Sequence, residues 1–170
     1  MIIIYKGANV KLSIKEIIKR IKILEDELIV LNQEEDKDNY VIYLKDETVE
    51  KSSYNFNKTN KKRQEINQEI LRLKIIVQKA NIKTITSYKG LSISELLILL
   101  AQKSSLVQRF DLLCSKKQKT RKTTNDGQIE YIEYLYDINE LKNTNLKLKQ
   151  EIATMQVAID KANIETLIEI

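Results

Sequence analysis

The 170-residue chain contains no histidine, no proline and no tryptophan, with one cysteine and three glycines. Without histidine, Ser-His and Cys-His nucleophile systems cannot be assembled, and almost every ordinary zinc site loses a ligand. The lone Cys114 excludes an internal disulfide and a thiolate zinc cluster, and it fits a reducing, cytoplasmic setting. Glycine-rich phosphate loops and EF-hand patterns are missing too. Carboxylates and lysines could still do chemistry, but they alternate along helix faces as solvated i to i+4 pairs would. The expectation is a protein that is not an enzyme, with no cofactor, no metal and no small-molecule substrate.

Long apolar runs are also missing. None approaches the roughly twenty residues that a membrane-spanning helix needs. The apolar start Met1-Ile2-Ile3-Ile4-Tyr5 is too short for a signal-peptide core and has no basic leader. Residues 1–9 read as an N-terminal arm.

What remains is a chain rich in helix formers. Charged residues make up 31% of it and hydrophobic residues 42%, enough for a single helical domain over 1–170. The net charge of +5 leaves room for an acidic partner, but 24 acids are interspersed with 29 bases, as a solvated surface requires.

Ser13 and Glu16 have capping-box spacing, and Ile14, Ile17, Ile18, Ile21, Leu24, Leu28 and Leu31 then recur at threes and fours on one face. This predicts an amphipathic helix that runs out in the acidic stretch Gln33 to Asp38. Tyr40 to Leu44 and Ser53 to Phe56 look extended, and predict a β-hairpin insertion at 39–57. From about Thr59 the helical period returns through Ile66, Ile70, Leu73 and Val77.

A second capping box, Ser92 with Glu95, opens a third helix to about Lys117. Leu96 to Leu100 is apolar on every side, which predicts the most buried element of the domain. The segment 116–127 reads as a basic loop ending in the turn formers Asn125-Asp126-Gly127, followed by an extended stretch from Ile129. Asp137 and Glu140 have the spacing of a third capping box. After them Ile138, Leu141, Asn145, Leu148, Ile152, Met155 and Ile159 keep strict three-four spacing.

The fold class is therefore mainly α: an antiparallel, coiled-coil-like bundle of long helices with a small β-hairpin addition. A displacement of 82 places lays Gln68-Glu69-Ile70 on Gln150-Glu151-Ile152, and Lys79-Ala80-Asn81-Ile82 on Lys161-Ala162-Asn163-Ile164. Thr84 falls on Thr166. The repeat includes the residues that end both helices, so Asn81 and Asn163 are expected as left-handed helix caps, with Thr84 and Thr166 in the exit turns.

Asn145 sits where an apolar residue would pack better, at a cost unless its amide finds a partner. A facing Asn145 from a second subunit would satisfy it, which makes Asn145, Leu148, Ile152 and Met155 the candidate seam of a homo-oligomer. A polar site shielded inside one chain, or one exposed at the helix start, is the alternative. Nucleic acid is a weaker candidate partner, through Lys116, Lys117, Lys119, Arg121 and Lys122, because no helix-turn-helix, zinc finger or aromatic ribonucleoprotein motif accompanies them.

The helix end Lys79-Ala80-Asn81-Ile82 with Thr84, the opening Gly90-Leu91-Ser92-Ile93-Ser94-Glu95-Leu96-Leu97, the basic loop and the closing Ile159 to Thr166 together resemble the septicolysin-like family of small bacterial helical proteins. The likeness is better from Asn60 onward than over Val10 to Leu31. Ile164 stands where that family commonly has Trp, and Lys79 where it has Arg. The resemblance implies a helical architecture and no established activity. The family's label implies haemolysis, which the lack of a long membrane-active segment argues against. A self-associating scaffold or interaction module is the leading expectation, followed by a sequence-independent nucleic-acid binder and then a membrane-active protein.

Overall fold

The computed structural model describes residues 10–48 and 53–170. Among them are four long helices, packed in pairs, and four short strands in two antiparallel two-stranded sheets: β1 (Lys11–Ser13), α1 (Ile14–Asp38), α2 (Phe56–Lys83), α3 (Ile93–Cys114), β2 (Lys119–Thr123), β3 (Ile129–Glu133), α4 (Ile138–Glu165) and β4 (Leu167–Glu169). The chain divides into two compact units, Met1–Lys83 with Asn163–Ile170, and Thr84–Ala162. The expected arm at 1–9 lies outside the described residues.

In the first unit, α1 starts where the sequence says it should. The Ser13 hydroxyl accepts from Glu16 N–H at 3.2 Å while the Glu16 carboxylate accepts from Ser13 N–H at 2.7 Å, a reciprocal capping box. The predicted apolar stripe then meets that of α2. Ile17, Ile21, Leu24 and Leu31 are buried with Ile66, Ile70 and Leu73, and Leu28 and Val77 pack against them. Ion pairs flank this core: Arg20 with Glu69 at 3.5 Å, Glu27 with Lys62 at 3.4 Å, Glu25 with Lys74 at 2.7 Å, and Glu35 with Arg63. Partly exposed pairs of this kind add modest stability at the rim of the core.

Two expectations for this unit are corrected. The acidic stretch Gln33 to Asp38 belongs to α1, which continues through it to a cap at Asn39. No strand is found among the described residues of the expected hairpin at 39–57. Residues 40–44 are exposed and lead into a turn closed by Glu47 N–H on the Leu44 carbonyl at 3.0 Å. The other half of the expected hairpin is helix-forming: Asn55 Oδ1 accepts from Lys58 N–H at 3.0 Å, and Phe56 opens α2. β-propensity in Tyr40 to Leu44 is not enough when the facing segment caps a helix.

In the second unit the hairpin does exist, at the basic segment. β2 pairs with β3 from Lys119 opposite Glu133 to Thr123 opposite Ile129, and Gly127 takes a positive φ of 82° in the turn. The expected loop at 116–127 thus contains the strand β2, with turn or irregular backbone on either side. Cross-strand charge explains it: Lys119 meets Glu133, with an ion pair at 3.1 Å, and Lys122 stands opposite Glu130. The Asp137 carboxylate then accepts from Asn139 and Glu140 N–H at 2.7 and 3.1 Å, which caps the start of α4.

The third helix is the main departure. Ser92 and Glu95 form the expected capping box. Yet only Ile93 and Leu96 of α3 are buried, while Leu97, Ile98, Leu106 and Leu112 are exposed. The most apolar helix of the chain thus has only two fully buried residues, because it has apolar residues on all sides and, within its unit, α4 to pack against on one.

Candidate functional site

The two helix ends singled out by the 82-place repeat do the same thing, but not through their side chains. The Thr84 carbonyl accepts from Ile93 N–H at 2.9 Å, at the first turn of α3. The Thr166 carbonyl accepts from Ile14 N–H at 3.2 Å, at the first turn of α1. Each supplies an acceptor to a helix N-terminus whose first N–H groups have no intrahelical partner. Just beyond, Ile85 bridges to Ser92 and Leu167 to Ser13, in the same antiparallel sense.

The partners of these ends repeat as well. Leu12-Ser13-Ile14-Lys15-Glu16-Ile17 and Leu91-Ser92-Ile93-Ser94-Glu95-Leu96 share the order Leu, Ser, Ile, any residue, Glu, aliphatic, with a displacement of 79 from Ser13 to Ser92. Ser13, Ile14 and Ile17 are buried in one junction, and Ser92, Ile93 and Leu96 in the other. Sequence reading found the two capping boxes separately and missed that they are one motif; aligning their flanks would have shown it.

Asn81 and Asn163 are not left-handed caps. Among the described residues positive φ occurs only at Lys89, Gly90 and Gly127. α2 and α4 each continue two residues past the asparagine, to Lys83 and Glu165, so the asparagines sit in the last helical turn. Their Oδ1 atoms are buried with no hydrogen-bond partner.

Polar contacts join α3 and α4. Asn145 is buried, and its Nδ2 donates to Asp111 Oδ1 at 2.7 Å. Lys149 Nζ donates to the same oxygen at 2.7 Å. The Lys149 ammonium, then the Asn145 amide, hold the Asp111 carboxyl below the usual carboxylate range. Asn145 therefore has a partner within its own chain, the shielded alternative, although its Oδ1 is buried unpaired. Of the other candidate seam residues, Met155 is fully buried, and Leu148 and Ile152 are half-buried.

A second clasp centres on Glu151. Lys103 Nζ of α3 donates to one carboxylate oxygen at 2.7 Å and the Tyr88 hydroxyl to the other at 2.5 Å, with Lys89 at 3.6 Å. The bond from Lys103, then that from Tyr88, lowers the Glu151 pKa to about 2. By the repeat Glu151 corresponds to Glu69, which joins Arg20 and Arg72 in the other unit.

The basic residues do not form one patch. Lys119 and Arg121 lie on one face of β2 and Lys122 on the other, and Lys119 is tied to Glu133. Lys116 and Lys117 instead line an open hollow of about 860 Å³ at the base of the hairpin, where Glu133 and Asp137 offset them and Leu135 is 99% exposed. Both hairpin strands are exposed throughout.

Among the described residues no cluster of three or more Cys, Asp or Glu side chains could hold a metal ion, and no helix is long and apolar enough to cross a membrane. Comparison with known proteins found no matching family model, no matching curated protein and no matching solved structure.

Proposed function

We propose that this chain is a non-enzymatic helical interaction module, built from a duplicated helix pair, that self-associates through its second pair. The observation that carries this reading is the uncovered apolar surface of α3, where Ile98 and Leu112 are 60% and 62% exposed on the most apolar helix of the chain. Leu97 and Leu106 are exposed on the same helix and add to the apolar area it offers a partner. The contact surface moves accordingly from the Asn145 seam, whose residues turn inward, to α3. The septicolysin-like likeness belongs to the same proposal and rests on the sequence motifs alone.

Nucleic-acid binding is less well supported, since Lys119, Arg121 and Lys122 are divided between the two faces of β2 and Lys119 and Lys122 stand opposite Glu133 and Glu130. A membrane-active role has no long apolar helix behind it among the described residues. Light scattering across a dilution series, at low and moderate salt and with the absorbance ratio checked for nucleic acid, tests the reading. It expects an oligomer free of nucleic acid whose mass is insensitive to salt. A monomer at all concentrations would refute it, and a monomer that copurifies with nucleic acid would favour the basic hairpin.

A further inference from the structure

The hollow at the base of the β2–β3 hairpin gathers lysines that have no counter-charge. Lys116, Lys117 and Lys142 line it, and among the described residues none of the three has a carboxylate at ion-pair distance, whereas Lys119 and Lys149 of the same unit do, at 3.1 and 2.7 Å. Two acids also reach the hollow, and both are already engaged. Glu133 is held by Lys119, and Asp137 accepts from Asn139 and Glu140 N–H at 2.7 and 3.1 Å. The offset by these acids is therefore partial, and the positive end of α4 opens beside the lysines.

Hydrogen bonds fix the floor. The Gln118 carbonyl accepts from Tyr134 N–H at 3.0 Å, its Nε2 donates to the Tyr134 carbonyl at 2.6 Å, and its Oε1 accepts from Ile138 N–H at 3.3 Å. One residue thus ties the exit of β3 to the first turn of α4. The Tyr136 hydroxyl anchors the stretch between them to the Leu113 carbonyl at 3.1 Å. On that stretch Leu135, which also lines the hollow, is held 99% exposed.

Lysine is a point charge without the planar fork by which arginine reads a carboxylate, so three lysines around one hollow suit a compact group of high charge. A phosphate monoester carries about −1.5 to −2 at neutral pH, more than a lone carboxylate can. The hollow, about 860 Å³, exceeds what that group needs and falls within the roughly 300–1,000 Å³ of small-molecule sites. We propose that it binds a small organic phosphate monoester, with the phosphoryl group among Lys116, Lys117 and Lys142 and the organic portion against Leu135. This site goes beyond self-association and does not depend on it. A nucleic-acid backbone fits less well, because its phosphodiesters carry a single charge each and the neighbouring cations of β2 lie on both faces of the strand.

Phenyl phosphate is the probe, titrated at low salt into the ¹⁵N-labelled full chain and followed by amide shifts. Saturable shifts are expected at Gln118 and along the first turns of α4. Lys116→Gln, Lys117→Gln and Lys142→Gln, all at exposed positions, should each lower the affinity about two- to fivefold. Leu135→Ser should weaken phenyl phosphate and leave inorganic phosphate unchanged. Affinity should also fall from about pH 7.5 to about pH 5, as the ligand loses its second charge; the chain has no histidine, so the lysines stay charged throughout. Benzoate binding as tightly as phenyl phosphate would overturn the phosphate assignment. Shifts that do not saturate, or that survive all three lysine variants, would overturn the site, and shifts with a single-stranded oligonucleotide but not with phenyl phosphate would put nucleic acid in its place. Light scattering on the same samples keeps the two proposals apart: an oligomer that ignores phenyl phosphate loses only this site, and a monomer that binds it loses only self-association.

Discussion

The α1–α2 and α3–α4 pairs begin with the same six-residue pattern and end on equivalent carbonyls, yet they are held together differently. α1 and α2 enclose a continuous apolar core from Ile17 to Leu31 and from Ile66 to Leu73, with ion pairs outside it. α3 and α4 also bury apolar residues, Ile93, Leu96, Met155 and Ile159 among them, and add polar clasps, Asp111 with Asn145 and Lys149, and Glu151 with Lys103 and Tyr88. The polar clasps fix geometry, while Leu97, Ile98, Leu106 and Leu112 of α3 stay exposed. One repeat thus serves stability within the chain; the other, on our proposal, serves contact between chains.

The sharpest way to break this contrast is to truncate one leucine in each pair. Leu73→Ala removes a fully buried side chain and is expected to cost about 2–5 kcal/mol in chemical denaturation. Leu112→Ala should leave the denaturation midpoint of dilute protein nearly unchanged and weaken assembly instead. Equal losses at the two sites would mean that α3 is packed within the protomer after all.

Next in size is Asp111→Ala, which leaves the buried Asn145 amide without its acceptor, at about 1–3 kcal/mol. Lys149→Ala, which removes a half-exposed ammonium and leaves the Asn145 bond intact, should cost clearly less. The same denaturation assay reads both.

The capping serines test the equivalence of the junctions. Ser13→Ala and Ser92→Ala should each lose about 1 kcal/mol, because both hydroxyls accept the same third-residue N–H at 3.2 Å. A marked difference would show that the two starts, alike in bonding, are not alike in energy.

The smallest effect concerns pH. Folding lowers the Glu151 pKa to about 2 from an ordinary 4.5, so its contribution to stability is full above the ordinary value. It is lost as pH falls through the window from about 4.5 to 2. Glu151→Gln should flatten the Tm profile over that interval, relative to wild type, and leave the slope above pH 5 unchanged.

Much of this was legible in the residues. Capping boxes and three-four spacing located all four helices, because both signals are local. Tyr40 to Leu44 read as a strand and is not one, since a strand requires a partner and its expected partner, Asn55-Phe56, starts a helix. The basic segment read as a loop and forms a strand, since charge pairing with Glu130 and Glu133 lies across the turn rather than along the chain. Asn81 and Asn163 stand in the last turns of α2 and α4, but the bonds to the next helix start come from the carbonyls of Thr84 and Thr166, which no side-chain pattern reveals. The apolar run at Leu96 to Leu100 signals burial, but a sequence does not say whether its own chain or another provides the cover.

Sedimentation velocity of wild type beside Ile98→Glu with Leu112→Glu tests the central claim most directly. Both residues are exposed in the protomer, so two carboxylates there should leave the helical circular dichroism intact. The account predicts a wild-type oligomer and a folded monomeric variant. A folded variant that sediments as the wild type does would contradict it, because the exposed apolar residues of α3 would then carry no contact.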